Sequence, residues 1–285
     1  SRCIGVDASV FERDHWGRAP LLSVAADLPS TFDDLFSEAA VDELVSRRGV
    51  RTPFIRMARE GNVLATSSFT SSGGLGAEIG DQVDSAKVLH ELAGGATIVL
   101  QGLHRLWPPL IDFTTDLVQD LGHPAQVNAY ITPSSSRGFD PHYDVHDVFV
   151  LQIAGEKHWT IHAPVHEHPT RDQPWSEHRA AVEARAAEEP AIDAVLKPGD
   201  VLYLPRGWIH SAQALGGTSV HLTIGMPSYT RRDVLDAVVA RLRDEPSLRR
   251  PLPLGVDWSD PALVGSFVDE TVQALTDALA DGALD

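Results

Sequence analysis

The chain has 285 residues, of which 43% are hydrophobic and 22% charged, as is typical of a globular protein with one large domain or a domain and a smaller appendage. Its 23 basic and 40 acidic residues give a formal net charge of −17, which disfavours direct contact with nucleic acid phosphates. A lone cysteine excludes an internal disulfide, and no apolar run approaches the roughly 18 residues that cross a bilayer, so we predict a cytoplasmic protein without membrane contact.

The first part of the chain mixes several kinds of element. Residues 11–22 are predicted to form an extended arm with aromatic anchors. Residues 31–48 have a capping residue, acids in the first turn and basic residues at the end, which predicts a helix. Residues 50–65 favour two short strands around the turn Glu60-Gly61-Asn62, and the Ser/Gly-rich residues 67–80 favour a loop.

The middle of the chain changes from helical to β-rich patterns. Residues 82–92 and 107–121 predict helices on either side of a buried strand at 96–103. Short β-rich runs then follow at residues 126–132, 146–154, 158–162, 194–196, 200–204, 209–214 and 219–225. Many short strands separated by turns indicate a sandwich or barrel, which the polar residues 166–190 interrupt with a loop and a helical piece.

Helical periodicity returns after Met226, in residues 231–243 and 261–280. We therefore predict three regions. Residues 1–90 are expected to be a mixed α/β arm with helices that pack on a barrel, and residues 91–226 the barrel itself. Residues 227–285 are expected to form a helical segment that packs on the barrel or makes a homodimer contact.

The motif Pro141-His142-Tyr143-Asp144 carries the first chemical signal. In a strand, residues i and i+2 face the same side, so His142 and Asp144 would present an imidazole and a carboxylate together. Downstream, the turns Pro198-Gly199 and Pro205-Arg206-Gly207 predict two tightly joined antiparallel strands, the second of which begins with His210. This arrangement would bring His210 to the same point.

Two histidines and one carboxylate on one face leave three octahedral positions of a metal ion open. This facial triad is the ligand set of non-heme iron(II) oxygenases. The open positions are those that a bidentate 2-oxo acid and O₂ require, whereas four protein ligands would make a closed, structural site. A lone histidine is more often a core or surface residue, but the two turns before His210 favour a ligand.

Two segments resemble the Jumonji-type cupin branch that contains the ribosomal oxygenases. They are NAYITPSSSRGFDPHYDVHDVFVLQIAGEKHW, which begins at Asn128, and KPGDVLYLPRGWIHSAQAL followed by SVHLTIG. The resemblance covers residues 90–226 and, more loosely, the HWGRAPLL arm. It implies a mainly β fold, a double-stranded β-helix (cupin or jelly-roll) barrel with flanking helices and a short helical C-terminal tail. It also implies that His142, Asp144 and His210 bind iron(II).

The resemblance further implies the contacts of 2-oxoglutarate. Lys157 stands where the family has a basic residue, which pairs with the far carboxylate. The physics agrees, because a buried dicarboxylate requires a cation, although Lys157 could also be a surface lysine at a strand start. Asn128, Tyr130 and Thr223 match polar positions around 2-oxoglutarate, and each could also be an ordinary strand residue.

Other histidines lie close to these motifs. His146 and His221 are predicted to lie near the pocket, because each alternates with a candidate site residue along a strand. The cluster His162, His166 and His168 could be taken for a second metal site. Its place at a strand end and in a polar loop favours a solvated surface instead.

The resemblance implies an iron(II)- and 2-oxoglutarate-dependent oxygenase that uses O₂ to hydroxylate an amino-acid side chain, at the β-carbon, in a protein or peptide. Two alternatives remain open: a metal-dependent cupin enzyme that does not use 2-oxoglutarate, and a non-catalytic cupin that only binds. The acidic composition would favour a basic peptide, although it can equally serve solubility. The residues after Met226 are too few for the family's usual C-terminal extension, so peptides smaller than a ribosomal protein, or amino acids, are also expected as substrates.

Overall fold

The computed structural model describes residues 2–74, 76, 78–134, 136 and 139–280. The chain divides into two compact units, Ser1–Ser228 and Tyr229–Asp285. The predicted boundary near residue 90 falls inside the first unit. Within the described ranges, no helix is long and apolar enough to span a membrane.

A nine-stranded sheet is the framework of the first unit, and a two-stranded sheet accompanies it. The strands are β1 (Leu21–Ser23), β2 (Ile55–Arg59), β3 (Asn62–Val63), β4 (Thr70–Ser71), β5 (Gln82–Val83), β6 (Thr97–Leu100), β7 (Gln126–Thr132), β8 (Asp147–His162), β9 (Ile192–Leu196), β10 (Val201–Leu204) and β11 (Ile209–Met226). The large sheet has the order β1-β10-β8-β11-β7-β6-β2-β3, with β9 paired to β8, while β4 pairs with β5. The predicted mainly β fold is confirmed. Among the described residues the antiparallel strand pairs follow an open path rather than a closed ring.

Two long strands, β8 and β11, replace the four short strands predicted for the same residues. The glycines that suggested turns lie opposite each other in this pair, where the register shifts between Leu215 and His221. Gly155 has φ +63°, and a Cβ atom there would lie 2.2 Å from the carbonyl oxygen of Thr218. The glycines therefore bend a continuous strand pair, which lets both strands pass from one end of the sheet to the other.

The predicted pairing of β10 with β11 is wrong, although both turns form as expected. Gly199 and Gly207 have φ values of +92° and +88°. Strand β10 pairs with the first half of β8, and the start of β11 pairs with the last part of β8. The residues of the second turn therefore cross β8 to reach the strand on its other side.

The two faces of the sheet carry different packing. Along β8, Phe149 and Leu151 belong to the larger core, which the N-terminal elements cover. Val148 and Val150 belong to a smaller core with Trp159. Successive residues of a strand point to opposite faces of the sheet, so the two cores lie on opposite faces of β8.

The N-terminal arm is helical where an extended chain was predicted. A short helix, α1 (Ala8–Val10), continues into a π-helical turn at Phe11–His15, and only then does the chain reach β1. Phe11 is buried and packs edge-on against Tyr203, with ring centroids 4.9 Å apart. One buried aromatic ring in a polar segment favours a helical turn, because it needs only one face of the chain.

Two further helices begin later than predicted, at better capping residues. Helix α2 (Glu38–Arg47) starts after Ser37, whose hydroxyl accepts a hydrogen bond from the Ala40 amide at 3.2 Å. Helix α3 (Ser85–Ala93) follows β5 and starts after Asp84. The Asp84 carboxylate accepts hydrogen bonds from the backbone amides of Ala86 and Lys87. A side-chain acceptor at the N-cap satisfies amides that the helix leaves free.

The remaining helices agree with the predictions. They are α4 (Pro108–Leu121), α5 (Arg179–Ala186), α6 (Arg231–Arg241) and α7 (Pro261–Ala280). The predicted strands around Glu60 also form, as β2 and β3. The predicted loop at residues 67–80 contains β4, while Leu75 and Ala77 lie outside the described residues.

Candidate metal centre

His142, Asp144 and His210 come together as predicted. One donor atom from each lies within 4.8 Å of the others, and the Nε2 atom of His210 is 3.6 Å from the Oδ2 atom of Asp144. In the described part of the chain this is the one group of three or more His, Cys, Asp or Glu residues with such spacing. The donor set matches a facial triad.

The local backbone that brings these ligands together differs from the prediction. His142 and Asp144 do not lie in a strand, so strand alternation is not the reason for their convergence. Instead, His142 and His210 form an isolated antiparallel bridge, with N···O distances of 3.2 and 2.8 Å in the two directions. The Asp144 carbonyl accepts a hydrogen bond from Gly207 at 3.0 Å, which ties the third ligand to the turn before His210.

Hydrogen bonds to carbonyl oxygens orient both imidazole rings. The Nδ1 atom of His142 lies 2.7 Å from the Asp140 oxygen, and that of His210 lies 3.0 Å from the Trp208 oxygen. A carbonyl only accepts, so each Nδ1 must carry the hydrogen and each Nε2 keeps its lone pair. The two rings are therefore in the tautomer that binds a metal through Nε2.

The charge states of the ligands also suit a divalent cation. Burial lowers the pKa of His210, and His142 lowers it further, so the ring is neutral at pH 7. Burial alone would raise the pKa of Asp144, but His210, His146 and His142 together bring it below its usual range. A carboxylate and a neutral imidazole are the forms in which Asp144 and His210 would bind a metal such as iron(II).

The three ligands line a cavity of about 270 Å³ on the face of the sheet opposite the larger core. Its other polar lining residues are Arg56, Thr97, Tyr130, Thr132, Lys157, Ser211, His221 and Thr223. Apolar rings also contribute, from Phe139, Trp159 and Trp175. A concave site with few converging polar groups is typical of a small-ligand pocket.

Lys157 lies in this cavity and is only 3% exposed. Its Nζ atom donates to the Thr132 hydroxyl at 3.2 Å, and no carboxylate of the described residues pairs with it. Burial lowers its pKa to about 7. A buried ammonium without an anion is costly, so the cavity is suited to an anionic ligand at this end.

The other predicted cosubstrate contacts have different surroundings. Tyr130 and Thr223 both line the cavity. Asn128 pairs with Thr223 across β7 and β11, yet its side-chain oxygen accepts from the Gly102 amide at 3.1 Å and the residue is outside the cavity lining. Its contact with 2-oxoglutarate stays a prediction.

His221 stacks on the ring of Tyr130, with centroids 5.0 Å apart and planes at 2°. Burial lowers the pKa of His221, and the charge of Lys157 lowers it further. Its Nδ1 atom is buried and has no hydrogen-bond partner in the part of the chain that the structure describes. The prediction that His221 lies near the pocket is therefore confirmed, and the ring is neutral.

The histidine cluster on residues 162–168 is not the uniformly solvated surface that was predicted. His162 is buried, 3% exposed, at the end of β8, where burial lowers its pKa. His166 stacks on His178, with ring centroids 4.7 Å apart, and His168 is exposed. His162 does lie at a strand end, as predicted, but its pairing with Ile209 of β11 leaves it buried.

Several cavity residues were not identified from the sequence. Arg56 lies on β2, its guanidinium 5.6 Å from the centre of the Phe139 ring, and its charge opposes the rise that burial causes in the pKa of Tyr130. The sequence offered one signal for Arg56, a charged residue between two apolar ones, Ile55 and Met57, both of which are buried in the structure. Thr132 could have been found by extending the alternation of Asn128 and Tyr130, whereas Trp175 begins a short 3-10 helix, Trp175–His178, that gives no such pattern.

Residues 109–234 match the sequence profile of the JmjC domain. The chain contains a JmjC domain. It is 32% identical to Ribosomal oxygenase 1 of Gallus gallus over 96% of this chain and 46% of that protein. It is 30% identical to the bifunctional lysine-specific demethylase and histidyl-hydroxylase NO66 of Drosophila persimilis, over 87% of this chain and 35% of that protein. The JmjC chain thus spans less than half the length of these relatives.

The solved structures show a similar fold. The Escherichia coli ribosomal oxygenase YcfD, solved with cobalt and 2-oxoglutarate, superposes with a TM-score of 0.57 at 18% identity, covering 95% of this chain and 67% of that one. Together with the JmjC match, this likeness confirms the predicted cupin-type fold class and the family resemblance.

Proposed function

We propose that this JmjC chain is an iron(II)- and 2-oxoglutarate-dependent oxygenase that hydroxylates an amino-acid side chain, at its β-carbon, in a protein or peptide. The observation that carries the proposal is one cavity that holds both a His-Asp-His ligand set and a buried lysine that no carboxylate of the described residues pairs with. The names of the relatives, ribosomal oxygenase and histidyl-hydroxylase, support the same reaction class.

His142, Asp144 and His210 would hold the metal through two Nε2 atoms and one carboxylate. When bound, iron(II) with 2-oxoglutarate and O₂ supplies the oxidising chemistry that inserts oxygen into a C–H bond. The contribution of the protein is to fix the three ligands before the metal arrives. The carbonyl contacts at both Nδ1 atoms serve that purpose.

Lys157 would bind the carboxylate of 2-oxoglutarate that is far from the metal. An anion beside the amino group raises its pKa again and offsets the effect of burial, so the bound state would keep the ammonium charged. The Thr132 hydroxyl, 3.2 Å from Nζ, would hold the amino group in position. Tyr130 and Thr223, with Asn128 beside them, would border the same ligand.

Arg56 would contact the substrate. Its buried Nε atom has no hydrogen-bond partner among the described residues, so an acceptor oxygen brought by the substrate would satisfy it. A cationic side chain would be disfavoured next to this guanidinium, whereas the net charge of −17 favours a protein that is basic elsewhere. Phe139 and Trp175 would exclude water from the reacting group.

The proposal extends to location and assembly. A reducing compartment such as the cytoplasm suits a chain with one free, buried cysteine, Cys3. The prediction that the helical second unit forms a homodimer is supported by exposed apolar residues on both of its helices, among them Val234, Val239, Val268 and Val272.

The decisive experiment supplies the protein with iron(II), 2-oxoglutarate, O₂ and a panel of peptides, and measures succinate together with peptide mass. We expect succinate and a gain of one oxygen atom on the peptide. Loss of a methyl group instead would indicate demethylation. Bound metal without succinate would favour a cupin enzyme that does not use 2-oxoglutarate, and no bound metal would favour a non-catalytic cupin.

A further inference from the structure

A second concavity, of about 720 Å³, lies between the N-terminal helical segment and α4. We call it the N-terminal groove; its apolar surface is formed by Phe11, Phe113, Leu117, Leu121 and Phe149. Phe149 lies between Val148 and Val150 on β8, and both of those valines line the metal cavity. Since successive strand residues face opposite sides, the groove and the cavity lie on opposite faces of the sheet.

The two walls of the groove are helical stripes. On one wall Ala8, Phe11 and Glu12 follow the i, i+3, i+4 spacing, and on the other Phe113 to Leu121 do so over eight residues. At 1.5 Å per residue the α4 stripe is about 12 Å long. The rings of Trp16 and His123 stack 5.5 Å apart and join the walls at one end. The groove is therefore elongated.

Three carboxylates, those of Glu12, Asp116 and Asp120, border the apolar surface on both walls. All three residues are exposed, and in the described part of the chain none of these carboxylates has an ion pair or a side-chain hydrogen bond. The guanidinium of Arg2, which also lines the groove, is occupied by Asp34. The net charge offered to a ligand is negative.

We propose that the N-terminal groove docks a basic peptide segment of a partner protein. A large apolar side chain of the segment would lie on the groove floor, and flanking Lys or Arg residues would meet the three carboxylates. The carboxylates are spread along the walls, with Asp116 and Asp120 one helical turn apart, which matches an extended or helical peptide. A compact small molecule would instead be held by polar groups that converge on one point.

The test uses a fluorescent synthetic peptide with one Phe between two Lys residues on each side, and measures binding by anisotropy. Asp116→Asn with Asp120→Asn should weaken binding about fivefold to tenfold, since each exposed ion pair is worth a few tenths to 1 kcal/mol. The matched control, Glu38→Gln with Asp42→Asn, removes the same charge from exposed i and i+4 positions of α2. It should leave the affinity within about twofold.

Two further measurements locate the bound peptide. Ala8→Trp, at an exposed position of the wall, should fill the groove and abolish binding without disturbing the core. A Ser-for-Phe peptide should bind at least about tenfold more weakly, since burying a Phe contributes about 1.5–3 kcal/mol.

Three outcomes would overturn the proposal. The first is equal loss of affinity in the groove and control double variants, which would mean that only net charge attracts the peptide. The second is full peptide affinity in Ala8→Trp, which would mean that the peptide binds outside the groove. The third is a simple aromatic amine, such as phenethylamine, that binds the groove as tightly as the peptide does, since this would assign the groove to small molecules.

Discussion

The metal cavity and the N-terminal groove use charge in opposite ways on the two faces of one sheet. In the cavity, Lys157 is 3% exposed and lies among other buried polar groups. In the groove, the carboxylates of Glu12, Asp116 and Asp120 are exposed around an apolar floor. Because burial strengthens electrostatic interactions and solvent screens them, single changes should have large effects in the cavity and small ones in the groove.

The largest effect is expected from the ligand set. Asp144→Ala should lower iron affinity and succinate formation at least about 100-fold, since even outer contacts of metal ligands are worth 10- to 100-fold. Metal content after dialysis and succinate production would be measured, with His168→Ala at an exposed position as control. Full iron content and activity in Asp144→Ala would show that the triad is not the metal site.

The next effect concerns the cosubstrate. Lys157→Met should raise the KM for 2-oxoglutarate about 10- to 100-fold, because a hydrogen bond to a charged group contributes about 1.5–3 kcal/mol. Iron content should not change. Lys197→Met, which removes an exposed lysine, is the control and should leave the KM as it is. An unaltered KM in Lys157→Met would assign the 2-oxoglutarate anchor elsewhere.

The pH dependence follows from the same lysine. Its pKa of about 7 in the folded protein lies below the usual lysine value of about 10.4, so between these values the unfolded chain binds more protons. Without ligand, the free energy of unfolding should therefore gain a contribution that rises with pH from about 7 to about 10. The affinity for 2-oxoglutarate should fall over this window by at most about tenfold per pH unit, because binding requires the charged amine.

This prediction is checked by urea unfolding and calorimetric titration at several pH values. Lys157→Met should remove the rising contribution to stability. If wild type and variant keep parallel stability profiles between pH 7 and 10, the lysine is charged in the ligand-free fold and the linkage argument fails.

A smaller effect is expected from Arg56→Gln. Loss of the guanidinium should raise the KM for the peptide about tenfold while leaving peptide-independent turnover of 2-oxoglutarate unchanged, since the residue is expected to contact the substrate only. Arg51→Gln on an exposed neighbouring position is the control. A matching loss of peptide-independent turnover would place Arg56 with the cosubstrate.

The smallest expected effect is that of salt, and it compares the metal cavity and the N-terminal groove directly. Raising the salt concentration from about 0.1 M to 1 M shortens the screening length from about 10 to 3 Å. The groove peptide should then bind several-fold more weakly, while the KM for 2-oxoglutarate should change less than twofold. Equal salt sensitivity at both sites would remove the distinction between buried and exposed charge.

The sequence predicted the ligands better than the structure around them. His142, Asp144 and His210 were identified from residue types and turn signals, because Pro restricts the backbone and Gly readily adopts the positive φ that tight turns need. The assumed strand at His142 was wrong, since an isolated bridge to His210 replaces it. Bridges between distant segments depend on tertiary pairing, which local periodicity does not report.

Long-range placement accounts for the other differences. The bend at Gly155 looked like a turn because the sequence does not show that Thr218 lies opposite. Arg56 enters the cavity only because β2 joins the sheet through β6. His162 is the last residue of β8, as predicted, but it is buried because it pairs with Ile209 at the start of β11, a neighbour that the sequence could not identify.

The bridge between His142 and His210 makes the main chain, rather than an ion, the spacer between the two imidazoles. A cation that binds here therefore meets two imidazole ligands that are already ordered. The conformational entropy of these two side chains was lost when the protein folded. Asp144, on irregular backbone, is the arm left to adjust to ionic radius. Replacing one divalent ion with another should therefore move the Asp144 carboxylate, while the two imidazole rings keep their positions.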